Sequence, residues 1–304
     1  MKIGVQFPFS ANTGEHEAIV RLVRAVEELG YDSIWTGDHL VIPGRIADMS
    51  SYPYHWRFDS DLDHYFPNKL FLDAVSTCGF IAGATTRLEI GVGVFVVPMR
   101  NPVQLAKELA SIDVLSGGRL IAGVGAGWMR EEFDALGMAY ERRGARMEES
   151  VELMQRLWSG ESVSFDGRYF TIEDIYSLPT PVRPGGIPIW VGGHSKLALE
   201  RAARFGSGWH AIELAPDEFE EHNRRIDALL TDRGREPSDV VRSCATRFRL
   251  SGDGLDETRR LVEQYAAAGC EHLVVYQTAS RSVDENTDRY HRFMEEVVGV
   301  VGVR

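Results

Sequence analysis

The sequence predicts one α/β domain, residues 1–304, folded as a (β/α)8 barrel. Eight short segments of strand character each precede a segment with helical periodicity, and this alternation is typical of a parallel sheet connected by helices. Glycines cluster where the predicted strands end. A chain of 304 residues is ordinary for one elaborated barrel and long for one doubly wound sheet. These three observations favour the barrel.

The competing fold is a doubly wound nucleotide-binding sheet with an appended segment. That fold would carry its glycine fingerprint directly after the first strand. The run GVGAG at residues 123–127 instead follows the fourth predicted strand, and it lacks the third-glycine spacing of the fingerprint. We therefore predict the barrel.

The predicted strands are short runs of β-branched, aromatic and aliphatic residues that end at Pro or Gly. The first alternates polar and apolar side chains and stops at Pro8. The third and fourth belong to the clearest strand–helix–strand unit of the chain, residues 88–128. In order, the predicted strands are residues 2–7, 33–36, 88–92, 120–123, 187–193, 206–213, 242–250 and 272–276.

Between the strands, apolar residues recur three and four positions apart, as on the buried face of a helix. Ile19, Leu22 and Val26 show this spacing in the first helix, which Gly30 ends. Two helices are predicted after the fourth strand. In order, the predicted helices are residues 15–29, 70–82, 102–115, 131–136, 142–158, 195–205, 217–230, 255–268 and 284–298.

Two insertions interrupt the alternation. Residues 40–67 form a long loop after strand 2, rich in Pro, Tyr, Asp and His, and a loop of this length is usually functional or mobile. Its aromatic residues, Tyr52 to Trp56 with Tyr65 and Phe66, are interpreted either as a lid over the barrel mouth or as a subunit contact. Alternating residues around Asp166-Gly167 predict a β-hairpin inserted before strand 5.

Composition argues against several classes of protein. The formal net charge of −12 disfavours a nucleic acid or an anionic membrane as partner. Cys78, Cys244 and Cys270 are scattered in apolar surroundings, which indicates buried thiols and disfavours a disulfide framework or a zinc site. The sequence shows neither a signal-peptide pattern nor an apolar run of membrane length, so we expect a cytoplasmic protein.

The active site of such a barrel lies at the carboxyl ends of the strands. Asp38 and His39, which follow strand 2, form the most reactive pair, and we predict that they act as acid–base residues. The alternative is that Asp38 only stabilises the loop and His39 only packs. The predicted strand-end residues are Gln6, Phe7, Asp38, His39, Gly93, Val94, Gly125, Trp128, Gly192, Gly193, His194, Trp209, His210, Arg249, Tyr276 and Gln277.

This set contains glycines and aromatic residues but few carboxylates, which suits a flat, aromatic, partly anionic ligand. Gly192 to Ser195 opens a helix directly after strand 5, so its backbone N–H groups predict a phosphate site, with a simple tight turn as the alternative. Glu131 and Glu132 lie at the start of the predicted helix that follows strand 4, where acidic residues suit the helix dipole.

A metal site and a serine nucleophile are both disfavoured. The first strand ends in QFPF and supplies no metal ligand, and the cluster Asp59, Asp61, Asp63 and His64 is interpreted as solvated charge. Ser195 lacks the GxSxG context of a nucleophile elbow.

Three segments resemble the luciferase-like monooxygenase superfamily, and more closely its coenzyme F420-dependent branch. They are SIWTGDH, GVGVFVVPMRNPVQLAKELASIDVLSGGRLIAGVGAGWMREEF and IPIWVGGHS, which start at residues 33, 91 and 187. The resemblance covers nearly the whole chain in order. The run LSGGRLIAGVGAGW is specific to the superfamily but does not separate F420 users from FMN users.

The resemblance implies a TIM barrel that holds a deazaflavin or flavin at its mouth. It places a non-proline cis peptide at Gly93-Val94 behind the central ring, and it places Asp38 and His39 at the reactive ring face. Gly192, Gly193 and the neighbouring amides of His194 and Ser195 match the phosphate region. Gly125 and Trp128 complete the predicted cofactor contacts. The related sugar-phosphate dehydrogenases carry a glutamate in place of Trp128, which argues against glucose 6-phosphate as substrate.

We therefore predict an F420-dependent oxidoreductase that transfers hydride between the deazaflavin and a small organic substrate. Two alternatives are an FMN-dependent monooxygenase, in which reduced flavin meets oxygen under the loop 40–67, and a flavin-binding barrel without turnover. We also expect a homodimer and, as a further partner, a separate flavin or F420 reductase.

Overall fold

The computed structural model describes residues 1–7, 16–43, 71–248, 254–276 and 282–303. The predicted aromatic lid, the acidic cluster from Asp59 to His64, and the strand-end residues Arg249 and Gln277 lie outside these ranges.

The predicted barrel is confirmed. Eight strands, which start at residues 2, 33, 89, 120, 189, 208, 241 and 272, pair in parallel in this order. The ring closes where the last strand pairs with the first. In chain order the strands are β1 (Lys2–Gln6), β2 (Ser33–Thr36), β3 (Glu89–Val92), β4 (Phe95–Val96), β5 (Leu120–Gly125), β6 (Val163–Asp166), β7 (Thr171–Ile175), β8 (Ile189–Gly192), β9 (Gly208–Ile212), β10 (Val241–Arg247) and β11 (His272–Tyr276).

Helices follow the barrel strands and cover their outer faces. The last one differs from the single helix predicted, because it changes to a π-helix at Phe293–Val298 before a short final turn. In order they are α1 (His16–Glu28), α2 (Ala74–Ala84), α3 (Pro102–Ser116), α4 (Arg130–Ala135), α5 (Arg143–Leu157), α6 (Lys196–Phe205), α7 (Pro216–Thr231), α8 (Gly254–Ala267), α9 (Val283–Arg292) and α10 (Gly299–Val301).

Local capping sets several helix boundaries. Asn101 accepts hydrogen bonds from the N–H groups of Val103 and Gln104 at 2.9 and 3.2 Å, and Gly117 ends α3 with φ at +68°. The predicted start of α2 at residue 70 is wrong, because Asp73 caps this helix by accepting from the N–H of Ser76 at 2.8 Å. The helix therefore begins at residue 74.

The predicted hairpin before strand 5 is confirmed as the antiparallel pair β6–β7. Glu149 of α5 holds its turn: one carboxylate oxygen accepts from the N–H groups of Tyr169 and Phe170 at 2.6 and 2.9 Å, and the other accepts from that of Arg168 at 2.9 Å. The hairpin is thus fixed to the outside of the barrel.

Large side chains fill the barrel interior where glycines make room for them. A Cβ at Gly91 would overlap the ring of Trp35, and a Cβ at Gly208 would overlap that of Trp190. The interior cluster consists of Trp35, Ile121, Trp190, Ala245 and Val274, with Ile212, Val241 and Tyr276 packed against it.

The sequence places Trp209 at the mouth, but the structure turns it outward. Its ring stacks on Phe219 of α7, with centroids 5.1 Å apart and an interplanar angle of 15°. Side chains alternate along β9, so the next residue, His210, points into the barrel. The three cysteines are buried and free. Across the described ranges, no helix combines the length and apolar character needed to cross a membrane.

Candidate functional site

Asp38 lies at the carboxyl end of β2 and is fully engaged by its neighbours. Its Oδ2 accepts from the N–H of Val96 at 2.9 Å, and its Oδ1 forms an ion pair with Arg100. Burial raises the pKa of the Asp38 carboxyl, while the charge and hydrogen bond of Arg100 act in the opposite direction. These contacts tie β2 to β4 and hold the backbone that leads into His39.

His39 is bound to a carboxylate that the sequence suggested only as a partner of the helix dipole. The distance from His39 Nδ1 to Glu132 Oε2 is 2.9 Å, and Glu132 Oε1 accepts from the N–H of Leu40 at 3.1 Å. The imidazole also meets Phe71 and Trp128 edge to face, with centroids 5.2 and 6.1 Å apart. The His39 side chain is 18% exposed to solvent, so His39 lies at the surface of the mouth.

The peptide bond between Gly93 and Val94 is cis, at the position that the family resemblance indicates. The half-buried Val94 side chain lies between two predicted site glycines. A Cβ at Gly125 or at Gly192 would come within 2.5 Å of a Val94 methyl carbon. Both glycines therefore have an internal reason to lack a side chain, and their contact with a ligand stays a prediction.

An aromatic layer lies beside these residues in the barrel. The rings of Trp35 and His210 are stacked, with centroids 4.5 Å apart and an interplanar angle of 4°. A Cβ at Gly93 would come 2.9 Å from His210 Nε2, so this imidazole packs directly against the Gly93 backbone. His210 Nδ1 lies 2.9 Å from Ser243 Oγ.

A second buried histidine completes this layer. His272 Nε2 lies 2.7 Å from Ser33 Oγ, which also accepts the Trp35 indole N–H at 2.7 Å. Burial lowers the pKa of His210 to about 4 and that of His272 to about 3. Both rings are therefore neutral at pH 7, and the layer is aromatic and uncharged.

The predicted phosphate segment is held in place by β9. Gly193 has a φ of +94°, its N–H donates to the carbonyl of His210 at 3.3 Å, and its own carbonyl accepts from the indole of Trp209 at 2.7 Å. Ser195 caps α6 by accepting from the N–H of Ala198 at 3.3 Å. Burial lowers the pKa of His194. A phosphate role for this helix start stays a prediction.

Trp128 is anchored through the backbone around it. Its carbonyl accepts from the hydroxyl of Tyr140 at 3.0 Å, and the carbonyl of Gly127 accepts from Arg143 Nε at 2.9 Å. The Arg143 guanidinium lies 3.9 Å from the centre of the Tyr140 ring. Trp128 thus forms a fixed wall beside His39.

Sequence reasoning missed three residues of the mouth: Arg100, Glu132 and Arg247. Arg247 is the exposed last residue of β10, and its guanidinium lies 5.6 Å from the centre of the Tyr276 ring. It shares strand parity with Ser243 and with the interior residue Ala245, so it points to the mouth. The alternation could have located Arg247, but the predicted strand ran on to residue 250.

The described residues suit a flat, uncharged ring that carries an anionic tail. Val94 offers an apolar surface between glycines, His39 lies at the edge of the mouth, and the start of α6 offers backbone N–H groups. In the described part of the chain, no group of three or more His, Cys, Asp or Glu side chains is arranged to hold a metal ion.

A sequence profile of the luciferase-like monooxygenase family matches residues 1–296. An uncharacterized protein of Mycobacterium tuberculosis is 30% identical over 260 residues, which are 86% of each chain. A phthiodiolone/phenolphthiodiolone dimycocerosates ketoreductase of the same species is 28% identical over 245 residues, 79% of this chain and 62% of the relative.

Two solved structures share the fold over almost the entire chain. Monooxygenase RslO1 from Streptomyces bottropensis superposes with a TM-score of 0.80 at 21% identity, covering 99% of both chains. An F420-dependent secondary alcohol dehydrogenase in complex with an F420-acetone adduct superposes with a TM-score of 0.79 at 19% identity, covering 99% of this chain and 98% of the other. At these identities the likeness establishes the architecture alone.

Proposed function

Because the chain belongs to the luciferase-like monooxygenase family and is an oxidoreductase, we propose that it uses coenzyme F420 to interconvert an alcohol and a carbonyl compound. The observation that carries this proposal is His39, a carboxylate-bound histidine at the barrel mouth. Carbonyl reduction needs a proton on oxygen as well as a hydride on carbon, and His39 offers that proton exchange. The names of the ketoreductase relative and of the alcohol dehydrogenase with the same fold support this reaction type.

When bound, F420 supplies the hydride chemistry, and the protein supplies position and protons. We assign to Gly93 and Val94 the surface behind the ring, and to the segment from Gly192 to Ser195 at the start of α6 the phosphate site, in which the N–H of Gly193 is already donated to the carbonyl of His210. Asp38, ion-paired with Arg100, acts in this proposal mainly by holding the backbone before His39. Gly125 provides room for Val94, and Trp128 packs against the edge of His39.

Cofactor titration tests this proposal. The purified protein is titrated separately with F420 and FMN, in oxidised and reduced form without oxygen. Binding is followed by cofactor fluorescence for the oxidised forms and by quenching of the protein's tryptophan fluorescence for the reduced forms. We expect F420 to bind at least about tenfold more tightly than FMN, a difference of roughly 1.4 kcal/mol. Tighter binding of FMN would overturn the proposal in favour of a flavin monooxygenase. If neither F420 nor FMN binds, both the F420-dependent and the FMN-dependent function are excluded.

A turnover assay separates an enzyme from a barrel that only binds. Oxidised F420 is mixed with a panel of secondary alcohols, and loss of its absorbance is followed with and without protein. We expect protein-dependent reduction for at least one alcohol. The opposite result would be tight F420 binding without turnover in either direction: no alcohol reduces F420, and no matching ketone oxidises reduced F420. That result would indicate a non-catalytic F420-binding protein.

We also propose a cytoplasmic homodimer that acts on a small molecule, on the basis of the family resemblance. A separate F420 reductase is needed as a partner if the protein works as a ketone reductase, because each turnover then consumes reduced cofactor. Sedimentation equilibrium tests the assembly, and a single species near the chain mass of 34.0 kDa at micromolar concentration would contradict the dimer.

A further inference from the structure

We infer that Glu132 is a positioning residue that fixes the tautomer of His39, so that Nδ1 carries the proton and Nε2 exchanges protons with substrate. The assignment of the tautomer depends on the contacts of Glu132 with His39 and with the N–H of Leu40. Its use in catalysis rests on the proposed function, in which His39 serves an alcohol or a carbonyl group.

The orientation of the Glu132 carboxylate is set by the backbone. The residue is 2% exposed, and its Oε1 accepts from the N–H of Leu40 at 3.1 Å. An amide N–H can only donate, so this oxygen serves as an acceptor and Oε2 is left facing His39 Nδ1 at 2.9 Å. An ionised carboxylate also only accepts, and the Nδ1 of a neutral His39 must therefore carry its hydrogen.

Among the described residues, the Glu132 carboxylate contacts the His39 ring and the N–H of Leu40. Arg100, the nearby arginine, is engaged by Asp38 and lies 3.6 Å from Asp73. Within the described ranges, the ion-pair partner of Glu132 is His39 alone. A buried carboxylate beside an imidazole stabilises the imidazolium that forms when the ring accepts a proton. Glu132 is thus placed to favour proton transfer from a substrate hydroxyl to Nε2, and to let Nε2 return that proton to a carbonyl oxygen.

Glu131 provides a matched control. It precedes Glu132 in the first turn of α4, carries the same charge near the same helix start and is more exposed. A helix-dipole role would make the two glutamates nearly equivalent. A tautomer role belongs to Glu132 only.

Histidine ¹⁵N NMR on the cofactor-free protein tests the tautomer directly. His39→Gln identifies the His39 signals by their loss, and long-range nitrogen–proton correlations show which ring nitrogen is protonated. We expect Nδ1–H in the wild type and in Glu131→Gln. In Glu132→Gln, the amide oxygen stays with the N–H of Leu40 and the NH₂ group turns to His39. Because that NH₂ group donates, Nδ1 becomes the acceptor and the tautomer changes to Nε2–H.

Kinetics with F420 and an alcohol substrate tests the consequence. We expect Glu132→Gln to lower kcat by about 10²-fold or more with KM changed less than about threefold, since a wrong tautomer removes the proton acceptor without removing substrate contacts. Glu131→Gln should change kcat by less than about twofold on the same reasoning.

The outcomes separate the inference from the proposed function. Two results overturn the inference. One is a wild-type His39 that is protonated at Nε2, and the other is a Glu132→Gln variant that keeps both the Nδ1–H tautomer and full activity. The Nδ1–H tautomer in a protein that never turns over F420 supports the assignment while the proposed function fails. If Glu132→Gln does not fold, as judged by circular dichroism, the wild-type spectrum still decides the tautomer.

Discussion

Histidines lie both at the mouth and in the interior of the barrel, and they differ in their contact partners and in their exposure to solvent. His39 contacts a carboxylate at 2.9 Å and keeps part of its surface exposed. His210 contacts a serine hydroxyl at 2.9 Å, stacks on Trp35 and is buried. A carboxylate stabilises the charged ring, whereas burial beside a neutral hydroxyl penalises it. The two histidines thus differ in partner and in solvent exposure, and this difference supports the proposal that His39 exchanges protons while His210 only packs.

The largest effect that separates the two settings should come from His39→Gln. Loss of the proton-exchanging ring is expected to lower kcat with F420 and an alcohol by 10²- to 10⁴-fold, about 3–5 kcal/mol. Thermal unfolding of the same variant measures separately the stability lost when the buried Glu132 carboxylate loses its ion-pair partner. A variant that keeps more than a tenth of the activity would remove His39 from the proposed mechanism.

Acid should destabilise the interior of the barrel through its two buried histidines. The folded-state pKa values of His210 and His272, about 4 and about 3, lie below the ordinary value of 6.5. The unfolded chain therefore binds more protons between these limits, and stability is lost as pH falls from about 6.5 toward 4. Each ring should lower the free energy of unfolding by about 2 kcal/mol between pH 7 and pH 5.

Urea unfolding at several pH values measures this loss. His210→Gln should show a shallower dependence on pH than the wild type. Equal slopes in the wild type and His210→Gln would show that His210 does not carry the effect.

Packing in the interior should tolerate less change than a helix surface. Gly91→Ala places a methyl group against the Trp35 ring and is expected to cost about 1–3 kcal/mol of folding free energy. Gly79→Ala lies inside α2 with no atom within 4 Å of the added carbon, and should stabilise by roughly 0.5–1 kcal/mol. Chemical denaturation of both variants checks the opposite signs; a stabilised Gly91→Ala would contradict the packed interior.

The smallest effect is expected at Arg247, the exposed cation of the mouth. Replacing it by Gln should leave unfolding within about 0.5 kcal/mol of the wild type. We expect it to weaken binding of F420 or of an anionic substrate by roughly tenfold, because one charge-assisted contact is lost. The variant and the wild type are titrated with F420, with a neutral alcohol and with an anionic alcohol, and the ligand whose affinity falls is the one that contacts Arg247. Equal affinities for all three ligands would exclude the contact.

Sequence patterns predicted the barrel well because its signals are local and repeated. Strands β2 and β11 begin and end where alternation and flanking residues place them. The start of α2 was misplaced, since the cap at Asp73 outweighs the apolar residues before it. The direction of Trp209 was also missed, because a predicted strand end does not say which neighbour points inward.

The sequence by itself determined the order of strands and helices, the hairpin insertion, and the candidates Asp38, His39, Gly93 and Val94. Only the tertiary structure decided how these residues divide their roles. Glu132 lies 93 positions from His39 in the chain, and Arg100 lies 62 positions from Asp38. No periodicity or local motif encodes such pairs, because they form only when separate strand ends meet at one mouth of the closed barrel. The chemistry of the site thus follows from barrel closure, which brings a buried carboxylate to one histidine and leaves another among neutral partners.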